Sequence, residues 1–326
     1  MPRRAPTSTD VARLCGVSQP TVSYVLNNTP GKRVSDATRE RVLQAARDLG
    51  YRPSRAAQSL ARGRSQIVVL HSPSGPRITV AKEFFTALSA RLEAAGWTLL
   101  SHFPPAGGER EHLHRLVEAT GADAVLDGYG DCVDDEELAR LGVAVIPLIA
   151  PTAWQLALRI PLRLQLEHLI GRGHRRLALA VPTEAVEHDA VQARIEEAHT
   201  WLTSRGFDAP RVLRWTGDLE AFIVTVTDSV REGVTAVAGH NDDTAIPVLA
   251  AAAAAGFVVP DDLAVIGIDD TLMARLTVPP LSTVRADLPS SAFTALADRL
   301  LAALEHRDVA TVASQPAFEL VVRSST

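Results

Sequence analysis

The sequence predicts a small helical head followed by an α/β core of two doubly wound parallel lobes. Three observations carry this reading. Short amphipathic helices crowd residues 1–50, β-branched runs alternate with helical patterns from residue 66, and the charge divides where the pattern changes. The 326 residues have a formal net charge of -5, yet residues 1–65 hold twelve Lys+Arg against four Asp+Glu. That head is net +8 and the remainder is net -13, so the head is suited to phosphate and the body to something else. Hydrophobic residues at 46% and charged residues at 22% fit a globular protein. No uninterrupted apolar run reaches the roughly 18 residues of a membrane span. The opening MPRRAPTSTD has no apolar stretch behind its arginines, so no signal peptide and a cytoplasmic location are expected. Cys15 and Cys132 are too few and too far apart for a disulfide framework or a metal cluster, and neither metal nor cofactor is expected.

In chain order, Thr7 with Asp10 three residues on is an N-cap pattern opening a helix with Val11, Leu14 and Cys15 at helical spacing, and Gly16 stops it. Ser18 can cap a second helix from Gln19 to about Asn27. Val22, Val25 and Leu26 then face inward, while Gln19, Pro20, Thr21, Ser23 and Tyr24 face outward or lie at its leading end. Helix, tight Gly turn and second helix with small polar groups make a helix-turn-helix, whose second helix is short enough to enter a major groove about 12 Å wide. A third helix follows Ser35 through DATRERVLQAARDL, with Val42, Ala45, Ala46 and Leu49 as its apolar stripe and Gly50 as its stop. Residues 51–65, YRPSRAAQSLARGRS, bring Arg52, Arg55, Arg62 and Arg64 around an Ala-rich segment centred on Leu60.

The body reads as strands IVVLH, WTLLSH, AVLDGY, VAVIPLI, RLALAV, RVLRW, TAVAGH and LAVIGID, with helices between them. Such alternation implies βαβ units, and ligands of such sheets bind outside the carboxyl ends of the strands. A division near residue 159 gives two lobes. The Ala-rich VLAAAAAAG reads as a packed helix.

TSTDVARLCGVSQPTVSYVLN and VSDATRERVLQAARDLGYRPSRAAQSLARGRS together resemble the DNA-binding start of the lactose/galactose-repressor (LacI/GalR) family, T..DVA..AGVS..TVS.VLN followed by VS..TR..V..A...LGY.PN..A..L. EHLIGRGHRRLALA, GHNDDTAIPVLAAAAAAGFVVPDDLAVIGIDDT, PPLSTV and FELVVRSST follow that family's core, which resembles periplasmic sugar-binding proteins. The resemblance implies a helix-turn-helix domain over 1–53, a hinge helix and linker over 54–65 and an effector-binding and dimerisation core over 66–326. Lobe 1 is then about 66–158 with 286–312, and lobe 2 about 159–285 with 313–326.

The resemblance also implies DNA contacts from Thr7, Ser18, Gln19, Pro20, Thr21, Ser23, Tyr24 and Asn27, with bases read by Gln19, Pro20 and Tyr24. Arg55, Ala57 and Leu60 would serve the hinge, Leu60 as a minor-groove wedge. Pro20 can make only apolar contact, and Ser54 stands where the family has Asn. Phe85, Arg194, Leu219, Asn241, Asp242 and Asp269 are the effector residues so implied, for a sugar or nucleoside-like metabolite; carboxylates and guanidinium groups bind hydroxyls or a purine edge in bidentate fashion. Each of these also suits a capping or structural role. The partners implied are double-stranded operator DNA, the effector and a second copy of the chain, with no membrane.

One stretch departs from the family. Where it carries an Asp-Asn pair after a loop, PTAWQLALRIPLRLQLEHL has Arg159 and Ile160 and a shortened loop, and the cleft there binds an unusual ligand or none. An enzyme is disfavoured, since GxGxxG after a strand, GxxxxGK[ST] and GxSxG are all absent. His112 and His114 lie two apart and share no helix face, so metal binding by them or by His188 is not expected. The expected protein is a ligand-responsive transcriptional regulator, a repressor acting as a homodimer. A cytoplasmic sugar-binding module is the lesser alternative.

Overall fold

The computed structural model describes residues 6–26, 33–51, 63–72, 78–104, 108–128, 135–148, 151–183, 188–287, 290–305 and 317–326. The chain divides into two compact units, residues 1–66 and 67–326. The first holds α1 (Ser8–Cys15), α2 (Gln19–Leu26) and α3 (Asp36–Leu49). Thr7 and Asp10 close a capping box on α1: the Asp10 amide donates to Thr7 Oγ1 at 3.3 Å, and the Thr7 amide donates to Asp10 Oδ2 at 2.9 Å, satisfying groups that the first helical turn leaves open. Gly16 ends α1 at φ +63°, a conformation that a side chain would strain. Ser18 and Ser35 accept from the amides of Thr21 and Thr38, each at 3.3 Å. Val11, Ala12, Val22, Val25, Val42, Ala45 and Ala46 form the small core. Leu14, expected on the inner stripe, is instead 58% exposed. Val11 and Ala12 take the inner face, and Cys15 Sγ donates to the Arg41 carbonyl at 3.5 Å.

The second unit contains two sheets. β1 (Ile67–His71), β2 (Thr98–His102), β3 (Ala124–Asp127) and β4 (Ala144–Pro147) are parallel in the order β2-β1-β3-β4. β5 (Leu177–Pro182), β6 (Arg211–Trp215), β7 (Ala236–Gly239), β8 (Ala264–Ile268), β9 (Ser282–Asp287) and β10 (Ala317–Val321) follow the order β10-β9-β8-β7-β5-β6, with only β10 antiparallel to its neighbour. Strands covered on both faces need apolar residues on both, which is why these runs read as near-continuous Val, Leu, Ile and Ala. In the first sheet Val68, Leu70 and Leu126 face Leu88 and Leu92 of α4 (Ile78–Ala94), and Val69 and Val125 face Leu113 and Val117 of α5 (Glu109–Thr120). A short α6 (Glu136–Arg140) precedes β4.

In the second sheet Val237 and Val265 pack with Phe222 of α9 (Leu219–Arg231) and Val248 of the Ala-rich α10 (Asp242–Ala254). Ala238 and Ile266 pack with Leu166 and Leu169 of α7 (Pro151–Gly171) and with Trp201 of α8 (His188–Thr203). A short α11 (Leu272–Leu276) follows β8, and α12 (Ser290–Leu304) lies between β9 and β10. Although those two strands belong to the second sheet, Ala297, Leu300 and Leu304 of α12 pack into the core of the first, so the chain returns to the first layer before it ends.

The stretch that departs from the family around Arg159 is part of the 21-residue helix α7. Leu158, Leu162, Leu166 and Leu169 continue a helical period across it, and the last three are buried. Pro151 suits a first helical position, and Pro161 costs the interior one backbone donor without ending the helix. Residue 159 therefore lies inside one continuous helix.

Candidate functional site

Two regions gather polar groups that the packing does not require. The first is the outer face of α2. Val22 and Val25 bury its inner side, while Gln19, Pro20 and Ser23 are exposed and Thr21 and Tyr24 half-buried. Gln19 Nε2 donates to Ser8 Oγ at 3.0 Å, tying the leading end of α2 to the start of α1. Three of the expected contact residues have local work: Thr7 Oγ1 donates to Asp10 Oδ2 at 2.7 Å within the capping box, and Ser18 Oγ lies 2.9 Å from Thr21 Oγ1. Asn27, Arg55, Ala57 and Leu60 lie outside the described residues. A helix with small polar groups outward, braced by two others in a segment of net charge +8, is the shape and charge of a groove reader.

The second region is the carboxyl edge of the six-stranded sheet. β7 ends into His240 and Asn241, β8 ends into Asp269 and Asp270, and α8 brings Arg194 against the His240 carbonyl. Arg194 is 6% exposed and its Nη1 donates to the His240 carbonyl. Asn241 caps α10, accepting from the Thr244 amide at 2.9 Å, while Thr244 Oγ1 accepts from the Asn241 amide at 3.1 Å. Asp269 is partly buried with φ +108°, a backbone conformation that non-glycine residues rarely hold and that concentrates at functional sites.

Asp242, expected at the effector site, has structural partners. It is fully buried. Its Oδ2 accepts from the Thr271 amide and its Oδ1 from Thr283 Oγ1, both at 2.7 Å. It rests on Gly267, where a Cβ would come 2.1 Å from Oδ1. Burial pushes its carboxyl up to about 6 and the charge of Asp270 adds to that, against the opposing hydrogen bonds from Thr271 and Thr283. Asp242 thus fastens the β7 turn to the β8 turn and to β9. Asn241 likewise serves as a cap, the structural alternative open to it from sequence. Phe85 packs from α4 against the core of the first sheet, and Leu219 begins α9 with 40% of its surface exposed.

Three contributors to this edge carry no sequence signal. Gln165 of α7 is fully buried and its Nε2 reaches the carbonyls of Gly239 and Gly267, each at 2.9 Å, and Ile266 at 3.2 Å. Asp270 is gripped by Arg323 and, at 2.7 Å, by Arg275 Nη2, with Arg285 at 3.7 Å. Burial pushes the Asp270 carboxyl up, but Arg323 and Arg275 outweigh it and hold it below the usual range. Glu197 of α8 pairs with Arg159 Nε at 3.4 Å and Arg163 Nη2 at 2.5 Å on α7. Only periodicity was available to place them, and the partners of Gln165 and Glu197 lie 34 to 102 positions away.

A helix-turn-helix unit joined to a two-sheet α/β core, with polar groups gathered at strand carboxyl ends, defines the class of DNA-binding transcriptional regulators with a periplasmic-binding-protein-like core. Comparison with known proteins gives the family. Residues 7–54 match the bacterial regulatory proteins of the lacI family, and residues 166–326 match the periplasmic binding protein-like domain. An uncharacterized HTH-type transcriptional regulator in the aml 5' region of Streptomyces limosus is 30% identical, covering 98% of this chain and 94% of the relative. The lactose operon repressor of Escherichia coli K12 is 29% identical over 90% and 83% respectively. The crystal structure of the lac repressor dimer bound to operator and the anti-inducer ONPF shares the fold, with a TM-score of 0.74 at 24% identity and 99% coverage of both chains. The chain belongs to the LacI family of transcriptional regulators, and these curated relatives are named as regulators rather than enzymes. Among the described residues, no helix is long and apolar enough to cross a membrane.

Proposed function

We propose that the chain is a cytoplasmic repressor that binds a near-palindromic operator as a homodimer, with affinity set by a small polar metabolite such as a sugar. The observation that carries the DNA half is the exposed Gln19, Pro20 and Ser23 face on a helix braced by buried Val22 and Val25, within a net +8 segment. Leu272, Met273, Leu276 and Val278, exposed by 66%, 57%, 64% and 91%, form an apolar surface that a second copy would cover. The relative seen with operator and anti-inducer is likewise a dimer.

The ligand half rests on Arg194 and Asp269 at the carboxyl edge of the second sheet. A ligand acts there only by binding two arrangements of the core unequally. The internal engagement of Asn241, Asp242 and Arg194 favours a second reading, a DNA-binding regulator without a ligand.

Footprinting of DNA upstream of the chain's own gene, titrated against salt, tests the DNA half. A protected palindrome is expected, with a log-log salt slope near -0.9 per phosphate neutralised. Salt-insensitive retention with no protected site would refute it. For the ligand half, a hit from a thermal-shift panel of sugars and nucleosides should lose its effect on operator affinity in Asp269→Ala; a panel without hits leaves the second reading standing.

A further inference from the structure

We infer that Gln19 reads an adenine in each half of the operator through a paired acceptor and donor, and that Ser8 is the positioning residue that sets the Gln19 amide for it. This rests on the reading that α2 enters the major groove. The helix, QPTVSYVL, contains no Lys or Arg, so the commonest specific contact, a cationic side chain on guanine O6 and N7, is not open to it. Pro20 has no side-chain donor or acceptor. The hydroxyls of Thr21, Ser23 and Tyr24 both donate and accept, and so distinguish bases poorly. Gln19, exposed at the leading end of α2, is the one amide on this helix, and an amide holds an acceptor and a donor in one plane.

The direction of that amide is set by α1. Gln19 Nε2 donates to Ser8 Oγ at 3.0 Å across eleven positions, from the first residue of α2 to the first of α1. The two helices are fixed to each other by the buried Val11, Ala12, Val22 and Val25, so Ser8 is a stationary post. Nε2 carries two hydrogens. The bond to Ser8 uses one and leaves Oε1 with the other as a neighbouring acceptor and donor. Adenine presents the complement in the major groove, N6–H as donor and N7 as acceptor, whereas guanine presents two acceptors, O6 and N7, and would set O6 against Oε1. Holding the amide before DNA arrives also reduces the side-chain freedom lost on binding.

The test is selection of the full chain on a pool of DNA duplexes with a randomised core at fixed salt, followed by anisotropy titration of the selected duplex. Parent, Gln19→Ala, Ser8→Ala and Ser8→Thr are compared. In the parent one position of each half-site should be adenine, and Gln19→Ala should lose the preference at that position alone. Guanine there should weaken the parent by about five- to 150-fold. Replacing the adenine by 7-deazaadenine, which lacks the N7 acceptor, should weaken the parent and leave Gln19→Ala unchanged. Ser8→Ala should narrow the adenine-over-guanine ratio by about two- to tenfold, and Ser8→Thr, which keeps the hydroxyl, should restore it. A serine that served only the fold would alter binding to all duplexes alike and leave that ratio unchanged, which would overturn the positioning role. A guanine at the position governed by Gln19, or a selected half-site in which no position depends on Gln19, would overturn the inference while leaving the DNA-binding reading intact. A parent that selects no sequence from the pool would remove both.

Discussion

Replacing Asp242 by Asn should raise stability at neutral pH by an amount that depends on pH. The carboxyl is fully buried beneath the β7 and β8 turns, and burial lifts its titration from 3.8 to about 6. That difference corresponds to about 3 kcal/mol between the protonated and ionised forms. The sign follows from linkage: the folded chain keeps this proton to higher pH than the unfolded chain does. The cost is absent below about pH 4, grows between about 4 and 6, and is fully present above that. Asn cannot ionise. It keeps an oxygen for the Thr271 amide and turns its NH2 toward Thr283 Oγ1, which can rotate to accept. The hydrogen-bond change is independent of pH, so the quantity to measure is how the Tm difference between variant and parent varies with pH. At about 2–4 °C per kcal/mol for a domain of this size, that difference should move in the variant's favour by about 6–12 °C between pH 4 and pH 7. Scanning fluorimetry at fixed ionic strength measures it. A constant difference would show that the buried charge costs nothing, and one moving the other way would show that the Thr271 amide and the start of α10 favour the ionised form.

Asp270→Ala removes the carboxylate shared by Arg275, Arg285 and Arg323 and should cost about 3 kcal/mol in urea unfolding at pH 7. Because this carboxyl is held low, its contribution is present at neutral pH and fades as pH falls below the usual carboxylate range, so parent and variant should converge in acid. Gln165→Leu keeps the volume but withdraws the donor that serves Gly239, Ile266 and Gly267. A loss of about 2 kcal/mol is expected, with faster amide exchange at the ends of β7 and β8, and an unchanged Tm would show those carbonyls to be served otherwise.

The head was legible because its rules are local. Thr7 with Asp10, Gly16, Ser35 and Gly50 mark helix ends within one turn, and Val22 with Val25 mark an inner face by spacing alone. Leu14 shows the limit, since position three of a period says which residues can face inward but not which the neighbouring helices have room for. The core's strands were legible for the same reason: β-branched runs bounded by turn residues mark strands covered on both faces. The Leu period runs through α7, so the departure from the family's pattern around Arg159 falls within one helix.

Residue types at the second sheet's edge were visible in the sequence, but their tasks were not. Asp242 and Asp269 both read as acids following strands, and only tertiary structure made the first a saturated, buried fastener and the second a partly buried residue on a strained turn. Gln165, Glu197 and Arg323 gave no signal, because the role of a polar group is set by what surrounds it and their surroundings come from elements far along the chain. The sequence by itself determined the class of protein, since caps, periods and charge act over a few residues. Only the tertiary structure decided which polar side chains hold the fold and which face outward, because burial and charge pairing exist only once distant segments meet.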